Sequence, residues 1–229
     1  MAKAEQTGDA ELLAAVDANL AAFGRYMGAP VPVAATLFPV AGHGYAIWTR
    51  AHADAALEAT LPGAGFVLVV DLPVMVLSAP PGPAPARDLP PGVEIRRVTD
   101  EAGSADFRLA TLDGSAGFEA ERAAADAVFG DPAGLVGPAV AAFVAYADGV
   151  PAAAALSFTE KHVSRIAWVA TAPPHRRRGL GTAVTRAAVC AGIDLGARFA
   201  VLESSPAGES VYRAMGFRAI TRYRIWLAG

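Results

Sequence analysis

A single cysteine in 229 residues, Cys190, rules out an internal disulfide, and nothing else points to an oxidising compartment. Cys190 falls within a helical pattern and reads as a packing residue rather than a nucleophile. Charge is also scarce: 18% of residues are charged and the net is −3, which argues against a surface built broadly for nucleic acid. No apolar run approaches the roughly 18 residues that cross a bilayer, and the opening MAKAEQTGDAELL lacks the apolar stretch of a signal peptide. No metal-ligating set stands at a suitable spacing. His43, between Gly42 and Gly44, has no such companion and reads as a turn histidine. The expectation is a soluble, cytoplasmic protein with no nucleic-acid, membrane or metal partner. Its 54% of hydrophobic residues suffices for one large domain or two small ones.

The charge that is present is unevenly placed. Residues 1–78 hold Lys3, Arg25 and Arg50 against seven acids, whereas 165–224 holds ten arginines against Asp194, Glu203 and Glu209. Without aromatics interleaved in the run Arg176-Arg177-Arg178, this basic third fits a small phosphorylated ligand better than a nucleic acid.

Periodicity divides the chain. Leu13, Val16, Leu20, Phe23 and Met27 recur at spacings of three and four, which predicts an amphipathic helix from Asp9 to Met27, ended by Gly28-Ala29-Pro30. Short strands are expected at Leu37–Val40 and Tyr45–Trp48, a helix near His52–Thr60, and strands at Phe66–Val70 and Val74–Leu77. This is a small α/β unit of unassigned role, residues 1–78. Ala79 to Pro91 contains six of the 17 prolines and reads as a linker. From residue 92 a second domain is expected to run to 229. It begins with a strand at Val93–Val98 and a helical region over Asp100–Gly130 that Gly103, Gly114 and Gly117 break, with Phe118–Phe129 its more convincing part. Three strands follow, at Ala139–Tyr146, Val150–Phe158 and Val163–Thr171. The first two are joined by Asp148-Gly149, a type I′ hairpin signal. A helix from Gly179 to Leu195, a strand at Phe199–Glu203, a short helix at Ser210–Met215 and strands at Arg218–Thr221 and Tyr223–Leu227 complete the order.

The stretch from Trp168 to Ala183 organises the rest. A strand gives way to a Pro-limited turn, three arginines, Gly179-Leu180-Gly181 and a long Ala-rich helix. Glycines allow close backbone approach, and the first-turn N–H groups of a helix, backed by its dipole, make a seat for phosphate. A Rossmann reading is disfavoured because Val184 stands at the third glycine position and the turn after Thr171 is too long. The Gly-Lys-Ser/Thr of a P-loop is missing.

The order of parts resembles the GCN5-related N-acetyltransferase (GNAT) family. Its acyl-CoA signature, Arg/Gln-x-x-Gly-x-Gly/Ala, is matched by Arg176, Gly179 and Gly181. A second motif of that family, Asn-x-x-Ala-x-x-Leu-Tyr-x-x-x-Gly-Phe, is similar to Ser205-x-x-Gly208-x-x-Val211-Tyr212-x-x-Met215-Gly216-Phe217, with Ser for Asn and Gly for Ala. The resemblance covers about 93–229 and implies an α/β (α+β) fold with a GNAT-like mixed central sheet flanked by helices. Residues 1–78 have no clear match, and a degenerate copy of the same fold there is the weaker alternative.

The resemblance also implies an activity: acetyl-CoA-dependent transfer of an acetyl group to a primary amine, by direct attack in a ternary complex. Acetyl-CoA would lie along Val169, Ala170 and Thr171, its pyrophosphate on Arg177, Arg178, Gly179, Leu180, Gly181 and Thr182, with Arg176 and Ser205 as further contacts. Tyr212 would protonate the departing thiolate, unless it is a helix-face core residue. Glu203, Glu160 and His162 are the candidates for the base, and a surface role is the better reading for each. A backbone N–H near Val169–Thr171 would stabilise the oxyanion. Trp168 lines the acceptor pocket or packs in the core. The acceptor is a small-molecule or peptide amine, and residues 1–78 would cover its site or form a homodimer surface. The alternative is a non-catalytic acyl-CoA-binding module.

Overall fold

Among the described residues, ten strands and five α-helices follow one another. They are α1 (Ala2–Tyr26), β1 (Thr36–Val40), β2 (Gly44–Arg50), α2 (Ala55–Thr60), β3 (Phe66–Leu77), β4 (Val93–Arg97), α3 (Glu101–Gly114), β5 (Val136–Gly137), β6 (Val140–Ala147), β7 (Val150–Glu160), β8 (Val163–Thr171), α4 (Leu180–Asp194), β9 (Phe199–Glu203), α5 (Glu209–Ala214) and β10 (Arg218–Ala228). The computed structural model describes residues 2–26, 36–40, 44–78, 89, 91–115, 129 and 132–228. The expected helix at Phe118–Phe129, apart from Phe129, lies outside them, as do Met27, His43 and most of the Pro-rich stretch. Two units result, Met1–Leu77 with Val201–Gly229, and Ser78–Ala200.

In the first unit, Leu12, Val16 and Leu20 recur every four residues and bury one face of α1. The helix starts earlier than Asp9. Its buried line runs through Leu12 rather than Leu13, two adjacent leucines between which periodicity could not choose. β3 is one strand where two were expected. Pro73 has no N–H for the ladder, but its carbonyl accepts from the Ser204 N–H at 3.0 Å. β10 is likewise continuous across Arg222, its register against β3 shifting at Ala219–Thr221 and again at Ile225–Trp226.

The N-terminal segment does not close a sheet by itself. β10 pairs antiparallel with β2 on one side and with β3 on the other. Polar contacts fasten the same join. Asp17 of α1 accepts from Arg50 Nη1 at 2.8 Å and from the Tyr223 hydroxyl at 3.0 Å. Glu58 of α2 accepts from Thr49 at 2.6 Å and pairs with Arg224. The carboxylate of Asp71 takes Arg222 Nε at 2.6 Å.

In the second unit the strand order is β8-β7-β6-β4, all antiparallel, with β5 added to β6. Asp148 (φ 51°) and Gly149 (φ 82°) both take the left-handed conformation that the type I′ hairpin requires. Every residue of Ala152–Thr159 is buried, so both faces of β7 are covered, and α3 and α4 each pack on β6, β7 and β8. Gly103 does not break α3. It lies in the first turn, where its N–H is capped by the Asp100 carboxylate at 2.8 Å. No described helix is long and apolar enough to cross a membrane.

Candidate active site

β8 carries the site's main irregularity. Ala154 pairs with Ala170 but Leu156 with Ala167, so two steps along β7 face three along β8. The extra residue is a β-bulge at Trp168–Val169, with Trp168 at φ 55°. A bulge leaves a backbone N–H outside the ladder and re-aims the strand beyond it. The bulge overlaps, at Val169, the segment Val169–Thr171 where oxyanion stabilisation is expected.

The strand then passes through Pro173–His175, a single 3-10 turn, into the arginine loop. The Arg176 guanidinium turns back onto the scaffold. Its Nε donates to the Thr171 carbonyl at 3.0 Å and its Nη2 to the Gly114 carbonyl at 2.9 Å. Arg176 therefore fixes the loop against the ends of β8 and α3 with the group that was expected to reach a phosphate. Arg178 Nη1 donates to His175 Nδ1 at 3.0 Å. Arg177 is exposed, in the left-handed region at φ 59°, with no side-chain partner among the described residues.

Gly179 caps α4 at φ 83° with no side-chain acceptor on the first turn. The first N–H to bond back is that of Ala183, to Gly179 O at 3.0 Å. The N–H groups of Leu180, Gly181 and Thr182 therefore have no partner within the helix. The Leu180 side chain is core, 1% exposed, so only its backbone can serve a ligand. Gly181 lies against β8: a Cβ there would come within 3.1 Å of Thr171 Oγ1. The structure thus brings Thr171, Arg176, Gly179, Leu180, Gly181 and Thr182 together at one end of β8. Three consecutive N–H groups, the positive end of a 15-residue helix and the free Arg177 guanidinium make a donor set that fits a diphosphate.

Glu160 and His162 sit at the other end of β8, in the hairpin that enters it. At about 3.3 Å per residue they are roughly 25 Å from Thr171. Glu203, Ser205 and Tyr212 belong to the other unit. Glu203 ends β9 half-buried. Ser205 Oγ accepts from the Gly208 N–H at 3.2 Å, and buried Ser204 donates to the Ser205 carbonyl at 2.8 Å, so the two serines close the turn into α5. Tyr212 lies edge-on to Phe217 at 5.9 Å, and a Cβ on Gly208 would stand 3.0 Å from the Tyr212 ring. Both departures from the family motif thus have a local structural role. A cleft of about 280 Å³ between the end of β4 and β5–β6 lies three strands from β8 and takes no part in this arrangement.

A strand with a bulge, an arginine–glycine loop and an uncapped helix N-terminus, in that order, are the parts of a CoA seat, and residues 108–217 match the acetyltransferase (GNAT) family model. The chain carries a GNAT domain. The GNAT family's co-substrate is acetyl-CoA. Among solved structures, the fold is similar to a GCN5-related N-acetyltransferase from Kribbella flavida (22% identity, TM-score 0.63, covering 80% of this chain and 67% of that one). It is also similar to one from Sphaerobacter thermophilus (21%, 0.55, covering 85% and 60%). A tandem GNAT protein from the clavulanic acid biosynthesis pathway aligns over 85% of this chain and 63% of its own (16%, 0.58). At these identities the likeness is one of GNAT fold. No curated protein matches the chain in sequence.

Two site features escaped the sequence reading. Gly114 looked like a helix breaker, yet it is a point where α3 touches β8. The bulge had no signal, because a tryptophan, not a glycine, occupies its left-handed position.

Proposed function

We propose that the protein transfers the acetyl group of acetyl-CoA to a primary amine by direct attack in a ternary complex. The observation that carries this reading is the bulge at Trp168–Val169 on the strand that leads into the uncapped N-terminus of α4. The N–H groups of Leu180, Gly181 and Thr182 hold the pyrophosphate, aided by Arg177, and the backbone of Val169–Thr171 pairs with the amides of the pantetheine arm. The amine nitrogen forms a bond to the thioester carbon, and the bulge N–H stabilises the oxyanion that develops. The C–S bond then breaks. The family motif assigns protonation of the sulfur to Tyr212, and Glu203 takes the surplus ammonium proton through water.

Calorimetric titration with acetyl-CoA, with NADH and NADPH as controls, tests the reading. Micromolar acetyl-CoA binding that a Gly179→Trp variant abolishes, with cooperative unfolding retained, supports it. Heat with a dinucleotide alone overturns it. Acetyl-CoA binding with no amine in a panel raising CoA release above background hydrolysis indicates a binding module instead of an enzyme.

A further inference from the structure

Alternation along β8 gives Trp168 an unexpected direction. Ser164 faces α4, since a Cβ on Gly192 of that helix would meet Ser164 Oγ. Period-two alternation from Ser164 would put Trp168 on the α4 face as well. Beyond the bulge the phase is reversed. Ala170 lies against Gly114 of α3, and Thr171 against Gly181 of α4. Trp168 shares the reversed phase with Ala170: its ring meets Phe129 edge-to-face at 5.0 Å, and Phe129 meets Phe107 of α3 in the same way at 5.1 Å. The bulge therefore turns the indole away from the helix whose N-terminus forms the phosphate seat and onto the opposite face of the sheet.

The backbone conformation at Trp168 is one that glycine fills without cost, while a bulky residue there is strained. Phe107 and Phe129 beneath the indole are buried, at 0% and 4% exposure. Trp168 is the outer, half-buried rung of this aromatic ladder. Its indole N–H has no hydrogen-bond acceptor among the described residues. The ring packs against Phe129, within the bulge proposed to hold the oxyanion, on the face of the sheet away from α4.

We propose that Trp168 is the specificity-determining residue for the acceptor, selecting primary amines that carry an aromatic group a short distance from the nitrogen. This rests on the acetyltransferase reading above. Offset or edge-to-face contact with the indole orients such a ring, and with it the amino group, whereas a linear polyamine gains nothing from the platform.

The test compares wild type, Trp168→Ala and Trp168→Phe with 2-phenylethylamine and putrescine as acceptors. It also measures acetyl-CoA affinity and amine affinity in the presence of CoA by calorimetry. The wild type should bind 2-phenylethylamine and prefer it to putrescine. Trp168→Ala should lower kcat/KM for the aryl amine about tenfold or more, a loss several-fold larger than that for putrescine, and recover to within about threefold in Trp168→Phe. The acetyl-CoA dissociation constant should stay within about twofold in both variants. Absence of acetyl-CoA binding in the wild type removes the acetyltransferase reading itself. With that binding intact, no measurable affinity for the aryl amine, a preference for putrescine, or equal losses on both amines in Trp168→Ala overturns the assignment of Trp168. Loss of acetyl-CoA binding in Trp168→Ala overturns it too, by placing the ring in the cofactor seat.

Discussion

Gly114, the last residue of α3, lies so close to Ala170 of β8 that a Cβ on it would come within 2.6 Å of the Ala170 Cβ and 2.8 Å of the Thr171 nitrogen. Glycine here is a condition for the helix to touch the strand. Gly114→Ala gains helix propensity of at most ~1 kcal/mol, and less at a terminal position. Against it stands overpacking onto backbone atoms, which costs about 1–3 kcal/mol. The second effect wins. Denaturant unfolding should show a net loss of stability. Acetyl-CoA affinity should fall as well, because Gly114 O also anchors Arg176.

The three arginines of the loop should separate by assay. Arg176→Ala removes two hydrogen bonds to carbonyls and should cost about 1 kcal/mol of stability as well as ligand affinity. Arg177→Gly relieves a left-handed backbone, stabilising the fold by up to ~1 kcal/mol, and keeps the N–H while removing the guanidinium. Thermal unfolding should thus move in opposite directions for the two variants, while calorimetry shows acetyl-CoA affinity falling in both, by roughly three- to tenfold for Arg177→Gly.

The local elements of this site were legible, and its long-range relations were not. The turn and arginine–glycine loop ahead of α4, the limits of β8 and β9 and the Asp148-Gly149 hairpin follow from residue periodicity and turn chemistry over a few positions. The bulge at Trp168 depends on how β7 and β8 align, and no glycine marks it. The close approach of Gly114 to Ala170 joins residues 56 apart in sequence, so a glycine at a helix end reads only as a terminator. The insertion of β10 between β2 and β3 is likewise a pairing of distant segments. What identified the second motif, Ser205 to Phe217, was its spacing, and the structure adds that the rings of Tyr212 and Phe217 touch.

Acid should loosen the first unit through Asp54. Burial pushes its carboxyl up, but the hydrogen bonds and charge of Arg50 outweigh that and hold it below the usual carboxylate range. Arg50 donates to it from N, Nε and Nη2 at 2.8 to 2.9 Å. A folded-state value below the unfolded one, near ~3.9, contributes stability that is present above that value and lost as pH falls through the folded one. Unfolding followed from pH ~5 down to ~2 should show the wild type losing stability faster than Asp54→Asn. Parallel curves would remove Asp54 from the acid response.

Gly208 and Tyr212 offer a paired test of the assigned acid. Tyr212→Phe keeps the ring and its contact with Phe217, so stability should change by less than ~1 kcal/mol. If the hydroxyl protonates the thiolate, turnover should fall by an order of magnitude or more with acetyl-CoA affinity nearly intact. Unchanged turnover would remove Tyr212 from the mechanism. Gly208→Ala acts on the same residue without deleting the hydroxyl: the new methyl would stand 3.0 Å from the ring and 3.2 Å from Ser204 Oγ, so the ring must shift by a few tenths of an ångström. An acid whose position matters should then lose part of its turnover, again at constant cofactor affinity. In the double variant the two losses should not add, because once the hydroxyl is gone its displacement has nothing left to impair.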